Sequence, residues 1–337
     1  MKKYINLINN SGYDIYFLVV DPNLDINLPE LKYFYKIYLP ENELKNSGHL
    51  LSLPDTIKFI KETSAKNSHL PAILPFKPSA KIDKICEKNA WINLANSARL
   101  NRFLEDKVKF YQFCEQEKIP VIPSHIDSFN KENFEKYSKG KEIVVQTHFG
   151  WAGNSTYLSD NYENLKDKIS NNLIVKFSPY LKGSTYTNNC CLTKYGLLQS
   201  PIACQLNQGF HTVGRTWPSN LSELQIIETT KLTNLFGKSL SLLHYRGYFG
   251  LDFLINNENI YILECNPRLT ASFAFYHFLE TKNNINSLFY FHLLELLDIN
   301  YDIDIKSELL RVIAPITGKE STPRDAKNQI IKKIHEI

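Results

Sequence analysis

The sequence predicts an α/β protein, and three observations carry that expectation. Short apolar strands and helices alternate through the first hundred residues, the pattern of an open α/β layer. Two later stretches, 97–118 and 221–245, repeat apolar residues at three- and four-residue spacing, which marks one face of a helix. The segment 247–268 alternates apolar residues in two arms around a polar turn, as a β-hairpin does.

Composition narrows the class. The 337 residues are enough for two or three domains with cores of their own. A hydrophobic share of 43% and a charged share of 22% are those of an ordinary globular chain. The net charge of +4 is only mildly basic, and without a Lys/Arg stripe nucleic acid is not an expected partner. No apolar run approaches the roughly 18 residues of a spanning helix, so no membrane partner is expected either. Cys86, Cys114, Cys190, Cys191, Cys204 and Cys265 show neither metal spacing nor a disulfide pattern, which predicts reduced thiols in the cytoplasm.

Taken in order, Met1-Lys-Lys-Tyr-Ile-Asn-Leu-Ile8 begins like a signal peptide, but its apolar stretch stops at Asn9-Asn10-Ser11. Residues 5–8 and 15–20 are expected as the first two strands, the second closed by Asp21-Pro22. Leu53-Pro54-Asp55-Thr56 starts a helix, and 72–74 is a short buried strand between prolines. No Gly-x-Gly-x-x-Gly is present, so no dinucleotide site is expected. Over 97–118, Leu100, Leu104, Val108 and Tyr111 share one helix face. Ile119-Pro-Val-Ile-Pro123 ends that helix and starts an extended segment.

Strand 143–145 runs into Gln146-Thr-His-Phe-Gly150-Trp-Ala-Gly153-Asn-Ser155-Thr156, and strand character resumes at Tyr157. Two glycines among small polar residues let backbone N–H groups approach phosphates. No Gly-Lys-Ser/Thr follows, so this is not a Walker A loop. An apolar strand from Leu173 breaks at Ser178-Pro179 before Gly183, and 187–203 reads as two strands turning at Lys194-Tyr-Gly196. Residues 207–219 are expected as a polar, aromatic loop long enough to be functional. Arg215 within it is the only Arg between Arg102 and Arg246. Its guanidinium suits a carboxylate or acyl-phosphate, with His211 and Trp217 beside it. Leu232, Leu235, Phe236, Leu240 and Leu243 are expected as core, with Gly247 at the helix end. Residues 269–272 read as a short polar turn and 283–297 as an apolar helix. The polar, basic tail from Thr317 is expected as a surface helix.

The hairpin carries the chemistry. Asp252 lies on its first arm, and Glu264-Cys265-Asn266-Pro267-Arg268 ends its second. Alternation turns Glu264 and Asn266 to one face and Cys265 to the core. Three unpaired turn residues would set Asp252 directly opposite Glu264, whereas two or four would turn it to the other face. Like charges opposed across a sheet are unfavourable. Two carboxylates and an amide aimed at one point therefore suit a hard cation such as magnesium, which takes oxygen ligands and nucleotide phosphates.

The Gly-x-x-Gly-x-Asp-Phe and Leu-Glu-x-Asn-Pro-Arg strands together resemble the metal-binding end of the ATP-grasp superfamily. The resemblance covers about residues 100–300, and the N-terminal third more loosely. It implies two α+β subdomains clasping ATP, at 101–182 and 183–337, preceded by a Rossmann-like domain at 1–100. It implies that Asp252, Glu264 and Asn266 hold Mg2+ on ATP. Arg268 and Arg215 would then steady the transferred phosphate or the acyl-phosphate, and Lys107 would contact phosphate. The segment 146–156 looks like the family's phosphate loop, with Gly150, Gly153, Ser155 and Thr156 as contacts. Many members carry a Lys where this chain has Gln146. Ser178, Tyr180 and Leu181 match the hinge around adenine. The family's usual ribose-binding Glu is here Thr185, whose hydroxyl bonds more weakly than a carboxylate.

The activity implied is an ADP-forming ligase that activates a carboxylate as an acyl-phosphate and joins it to an amine. Amino acids or peptides are the substrate class the family suggests. A carboxylate–thiol ligase loading a carrier protein, a phosphotransferase, and a nucleotide-binding protein without turnover stay open as alternatives. The family also admits a homodimer.

Overall fold

The computed structural model describes residues 1–21, 24–40, 46–150, 155–257 and 259–321. The chain opens with α1 (Lys2–Asn9), β1 (Tyr13–Val19), β2 (Phe34–Tyr38), α2 (Ser47–Ser52), α3 (Pro54–Asn67), β3 (Leu70–Pro75), α4 (Ala80–Asn89) and β4 (Ile92–Asn93). The four strands form one sheet in the order β2-β1-β3-β4, every pair parallel. Pro54 sits in the first turn of α3, where its missing N–H costs no bond. Residues 5–8 are helical, not the strand expected. Tyr4 and Ile8 are both buried, a four-residue spacing that gives a helix one apolar face. The Tyr4 ring packs 4.9 Å from that of Phe291.

The expected single helix over 97–118 is two, α5 (Ala98–Glu105) and α6 (Lys107–Gln116). Asp106 interrupts it in an extended conformation, and its carboxylate accepts from the N–H groups of Val108 and Lys109. N-capping replaces the helical bonds lost at the break. β5 (His125–Ser128), α7 (Lys131–Ser138), β6 (Ile143–Gln146), β7 (Thr156–Ser159) and β8 (Ile174–Pro179) follow. They build an antiparallel sheet in the order β5-β8-β6-β7. Ile143, Val145, Val175 and Phe177 point to a core under Phe129 and Phe134. By alternation Gln146, Lys176 and Ser178 point the other way.

After Tyr180 to Gly183 the chain enters the largest sheet. Its elements are β9 (Ser184–Thr193), β10 (Gly196–Gln199), β11 (Ala203–Gln208), β12 (His211–Trp217), α8 (Glu223–Leu242), β13 (Gly247–Asn256), β14 (Asn259–Asn266), α9 (Phe273–Lys282), α10 (Leu288–Leu296), α11 (Ile305–Leu309) and β15 (Gly318–Ser321). The order is β14-β13-β9-β11-β12-β15, with β10 added on β9. A Cβ on Gly183 would stand 2.6 Å from the Ile255 carbonyl oxygen. Gly183→Ala is therefore expected to cost about 1–3 kcal/mol by overpacking against backbone, read as a lower denaturant midpoint; an unchanged midpoint would show that the β8–β9 connection can shift.

Five further expectations change. Residues 203–217 form a hairpin closed by the Gln208–His211 pair rather than a long loop. Leu235 is 38% exposed while Leu232, Phe236 and Leu240 are buried. A helix, α9, already begins at Phe273. Its sequence, Phe-Ala-Phe-Tyr-His-Phe-Leu, is apolar all round and so shows no amphipathic period. Residues 318–321 pair with β12 as a strand; the tail beyond Ser321 lies outside the described residues. His244 (φ +55) provides the left-handed residue after α8, and Gly247 (φ +83) opens β13 instead of ending the helix.

One face of the large sheet is apolar. Tyr186, Cys190, Phe249, Leu251, Phe253, Ile262 and Cys265 share a core with Leu104, Phe110, Leu232, Phe236 and Leu240. The N-terminal sheet packs through a separate core that takes in α10, Cys191, Leu198 and Tyr248. Arg311 is buried beside α9. It donates to Glu280 at 2.8 Å and to Glu308 at 3.0 Å. All six cysteines are free thiols, and among the described residues no helix is long and apolar enough to cross a membrane.

Candidate active site

The hairpin of β13 and β14 closes with Asn256 paired to Asn259, so its turn has two residues. Asn257 takes φ +52, as such a turn requires. By register alone this turn would send Asp252 to the face opposite Glu264. A β-bulge reverses that outcome. Phe253 pairs with Ile262, yet Asp252 pairs with Glu264, which leaves Leu263 as the extra residue. The shift keeps Ile262 and Cys265 in the core and puts Glu264 and Asn266 on the face of Asp252.

The acidic pair lacks full compensation. Asp252 accepts from Gln205 Nε2 at 3.0 Å, and Thr187 and Arg215 also favour its charged form. Burial, and then the neighbouring Glu264, push its carboxyl up to about 7. The Glu264 side chain is 41% exposed and has Lys107 Nζ at 3.5 Å. Asn266 donates to Glu264 at 3.4 Å and accepts from Arg268 at 3.0 Å, which leaves its oxygen a second lone pair. Two carboxylates and an amide are hard oxygen donors, and a divalent cation would relieve the repulsion between them. The donor set thus fits magnesium. Among the described residues no group of three or more His, Cys, Asp or Glu gathers as a metal site; here two carboxylates are joined by an amide.

Arg268 is built into the wall. Its Nε donates to Glu105 at 2.9 Å, its Nη1 donates to the Leu269 carbonyl, and its guanidinium lies 5.0 Å from the Phe76 ring centroid. Burial works against the Glu105 carboxylate, but Arg268 and Lys77 hold its pKa below the usual value.

Lys107 begins α6 and ties two elements together. Its Nζ donates to Gly150 O at 3.1 Å besides approaching Glu264, and its backbone N–H donates to His148 O. The His148 ring is held 2.9 Å from Asp106. A Cβ on Gly150 would lie 2.1 Å from Ser155 Oγ, so only glycine fits there. That Ser155 hydroxyl is buried without a partner among the described residues, an unmet polar group of the kind a phosphate oxygen satisfies. Gly153 lies outside the described residues. Gln146 donates to Thr156 at 3.0 Å.

Arg215 is on β12, not on a loop tip. It pairs in register with Gln205 and Glu320, and its Nη1 donates to the Glu320 carboxylate at 2.9 Å. Its Nε is buried without a partner among the described residues. Gln205 connects it to Asp252. Of the two residues expected beside Arg215, Trp217 is buried against Phe275 and Tyr276, and His211 is exposed at the turn. At the hinge, Ser178 is buried with its hydroxyl 2.8 Å from that of Ser124. Tyr180 is 39% exposed, and Thr185 accepts from Asn207. Direct contacts thus join Lys107, Gly150, Glu264, Asn266 and Arg268. Asp252 and Arg215 connect to them through the sheet, and no contact among the described residues joins Tyr180, Leu181 or Thr185.

Two residues escaped sequence reading. Glu320 follows a break beyond which only a polar tail was legible. Lys176 sits inside an apolar run, Ile174-Val-Lys-Phe. Its one signal was period-2 alternation, which turns it away from Val175 and Phe177.

A family model described as an ATP-grasp domain matches residues 104–272. The arginine-specific carbamoyl phosphate synthase large chain of Halalkalibacterium halodurans is 22% identical over 180 residues, 50% of this chain and 17% of that protein. The chain thus spans about a sixth of that relative's length. Biotin carboxylase of Campylobacter jejuni, solved as a β,γ-ATP complex, superposes with a TM-score of 0.65 at 15% identity, over 94% of this chain and 71% of that one. N5-carboxyaminoimidazole synthetase of Staphylococcus aureus, complexed with ADP, gives 0.60 at 14% identity, over 86% and 78%. The biotin carboxylase domain dimer of Hydrogenobacter thermophilus 2-oxoglutarate carboxylase, with MgADP, gives 0.63 at 12% identity, over 90% and 68%. At these identities the superpositions speak for the fold.

Proposed function

This chain belongs to the ATP-grasp family, and we propose from that premise that it is a magnesium- and ATP-dependent, ADP-forming carboxylate–amine ligase. The observation that carries the proposal is the bulged register that opposes Asp252 to Glu264. A fold has no need to hold two carboxylates together on one face unless a cation joins them. Residues 1–100, 101–182 and 183–337 are taken as the three functional units. ATP would lie between the second and third.

In this reading Asp252, Glu264 and Asn266 hold magnesium, which neutralises charge on the phosphates. The substrate carboxylate oxygen bonds to the γ-phosphorus as the bond to ADP breaks. The amine nitrogen then bonds to the acyl carbon, inorganic phosphate leaves, and the nitrogen loses a proton. Phosphoryl transfer of this kind needs positioning and charge neutralisation more than covalent help from protein. Lys107, drawn toward Glu264, would turn to the phosphates. The segment around Gly150 and Ser155, with Gly153 and Thr156, would cover them and exclude water. Ser178, Tyr180 and Leu181 would surround adenine, and Thr185 the ribose. Arg268, fixed by Glu105, and Arg215, whose Nε has no partner among the described residues, would receive the developing oxyanion. Amino acids or peptides as substrates, a cytoplasmic site of action and a dimer belong to the same reading.

Thermal unfolding tests it. A ligand at about 100 times its Kd stabilises by roughly 2.7 kcal/mol. Wild type is expected to gain stability from ATP with magnesium but not from ATP with EDTA, and Glu264→Ala to lose the gain. No shift at millimolar ATP would end the ligase reading.

A further inference from the structure

We infer that Lys176 is a phosphate-binding residue of this site, carrying from β8 the positive charge that Gln146 does not supply from β6. The inference rests on the nucleotide reading above and adds a residue to it.

Register is the first argument. Gln146 pairs directly with Lys176 on one side and with Thr156 on the other. Cross-strand partners share a face, with Cβ atoms about 4.5–5.5 Å apart. A cation on β8 at this row therefore reaches nearly the same place as one on β6. Ser178, two residues on, lies on that face, whereas Val175 and Phe177 fill the core behind it.

Charge is the second. Lys176 is 8% exposed, and among the described residues its only contact of note is the Tyr111 ring, 5.7 Å from Nζ. It has no carboxylate and no hydrogen-bond acceptor there. Burial, and then Lys107, push its pKa down to about 8, with Cys114 and Glu264 offsetting only part. Lys107, Tyr111 and Cys114 lie at four- and three-residue spacing, one face of α6. That helix thus brings a second ammonium toward Lys176, and among the described residues Lys107 has only the half-exposed Glu264 as anionic partner. Buried lysines are ordinarily paired. Two gathered on one partly compensating carboxylate make a site for a polyanion, and a nucleotide triphosphate is the polyanion this cleft would take. Ser155, whose hydroxyl has no partner among the described residues, lies in the same stretch as Gly150, which Lys107 touches.

A structural lysine and a ligand lysine respond differently to removal. Lys176→Met is expected to raise the melting temperature of the ligand-free protein, because it removes an unpaired buried charge, and to weaken MgATP binding by calorimetric titration tenfold or more. Moving the charge across the ladder, with Gln146→Lys and Lys176→Gln together, is expected to restore the affinity to within about threefold of wild type, while Lys176→Gln alone does not. Wild-type affinity in Lys176→Met would overturn the assignment. So would a loss of ligand-free stability in Lys176→Met combined with a double variant that binds no better than Lys176→Gln. If wild type itself fails to bind MgATP, the nucleotide reading falls and takes this inference with it; binding by wild type that Lys176→Met retains removes this inference alone.

Discussion

Asp252→Asn is expected to make the ligand-free protein more stable while abolishing its response to magnesium and ATP. The first half follows from electrostatics. An unfolded Asp titrates near ~3.9, and in the fold burial and Glu264 push Asp252 up to about 7. A carboxyl whose folded pKa is raised carries no penalty below the unfolded value. The penalty grows as pH rises from there to the folded value and is complete above it. A three-unit shift is an upper bound of ~4 kcal/mol, and since Asp252 is only part-buried a gain of about 1–3 kcal/mol at pH 8 is expected. The Asn oxygen can still accept from Gln205. At pH 4 wild type and variant should unfold together, and between pH 4 and 7 their stabilities should separate. The second half follows from ligand chemistry, since an amide gives magnesium no charge. Denaturant titrations at the two pH values, with EDTA, check the first; thermal shifts with MgATP check the second. Equal stability at pH 8 would mean that the fold already compensates Asp252, and the case for a cation would lose its physical ground.

Arg311→Met should be the most destabilising of these substitutions, at about 3–5 kcal/mol, because it strands buried charge. Arg311 is 4% exposed and Glu280 1%. The guanidinium binds Glu280, Glu308 and the Asn286 carbonyl. Glu280 also receives the Ser200 hydroxyl and the Leu288 N–H. One arginine thus joins the end of α9, the start of α10 and the turn before β9's neighbour β11. Adding Glu280→Gln should recover a large part of the loss, since the neutral amide needs no counter-charge and still accepts from Leu288. The denaturant midpoints of the single and double variants measure both effects. A single-variant loss below about 1 kcal/mol would show that water reaches the cluster.

Both predictions concern charge, and charge placement is where sequence and structure part company. Local signals were readable wherever one residue type suffices. Pro54 opened a helix, 72–74 and 143–145 paired as strands, and Leu232, Phe236 and Leu240 were buried as their spacing required. Errors arose where a pattern fits two periods or none. Residues 5–8 satisfy a short strand as well as one helix face. The α9 sequence is apolar on every side, and 207–217 hid a hairpin behind polar residues.

The sequence by itself determined the residue types of the candidate site. Asp252, Glu264, Asn266 and Arg268 stand on two alternating runs, and alternation alone put Glu264 and Asn266 together and Cys265 in the core. It also determined the family resemblance that the match over 104–272 bears out. Only the tertiary structure decided how those residues meet. The hairpin has the two-residue turn that should separate Asp252 from Glu264, and a bulge at Leu263 rejoins them. Glu320 reaches Arg215 from more than a hundred residues away, and Lys176 stands beside Gln146 across a ladder that joins segments thirty residues apart. The physical reason is common to all three. A side chain's type and local facing are set by the backbone period, which the sequence displays. Its neighbour across a sheet is set by register, which one inserted residue changes and which packing of the whole sheet selects.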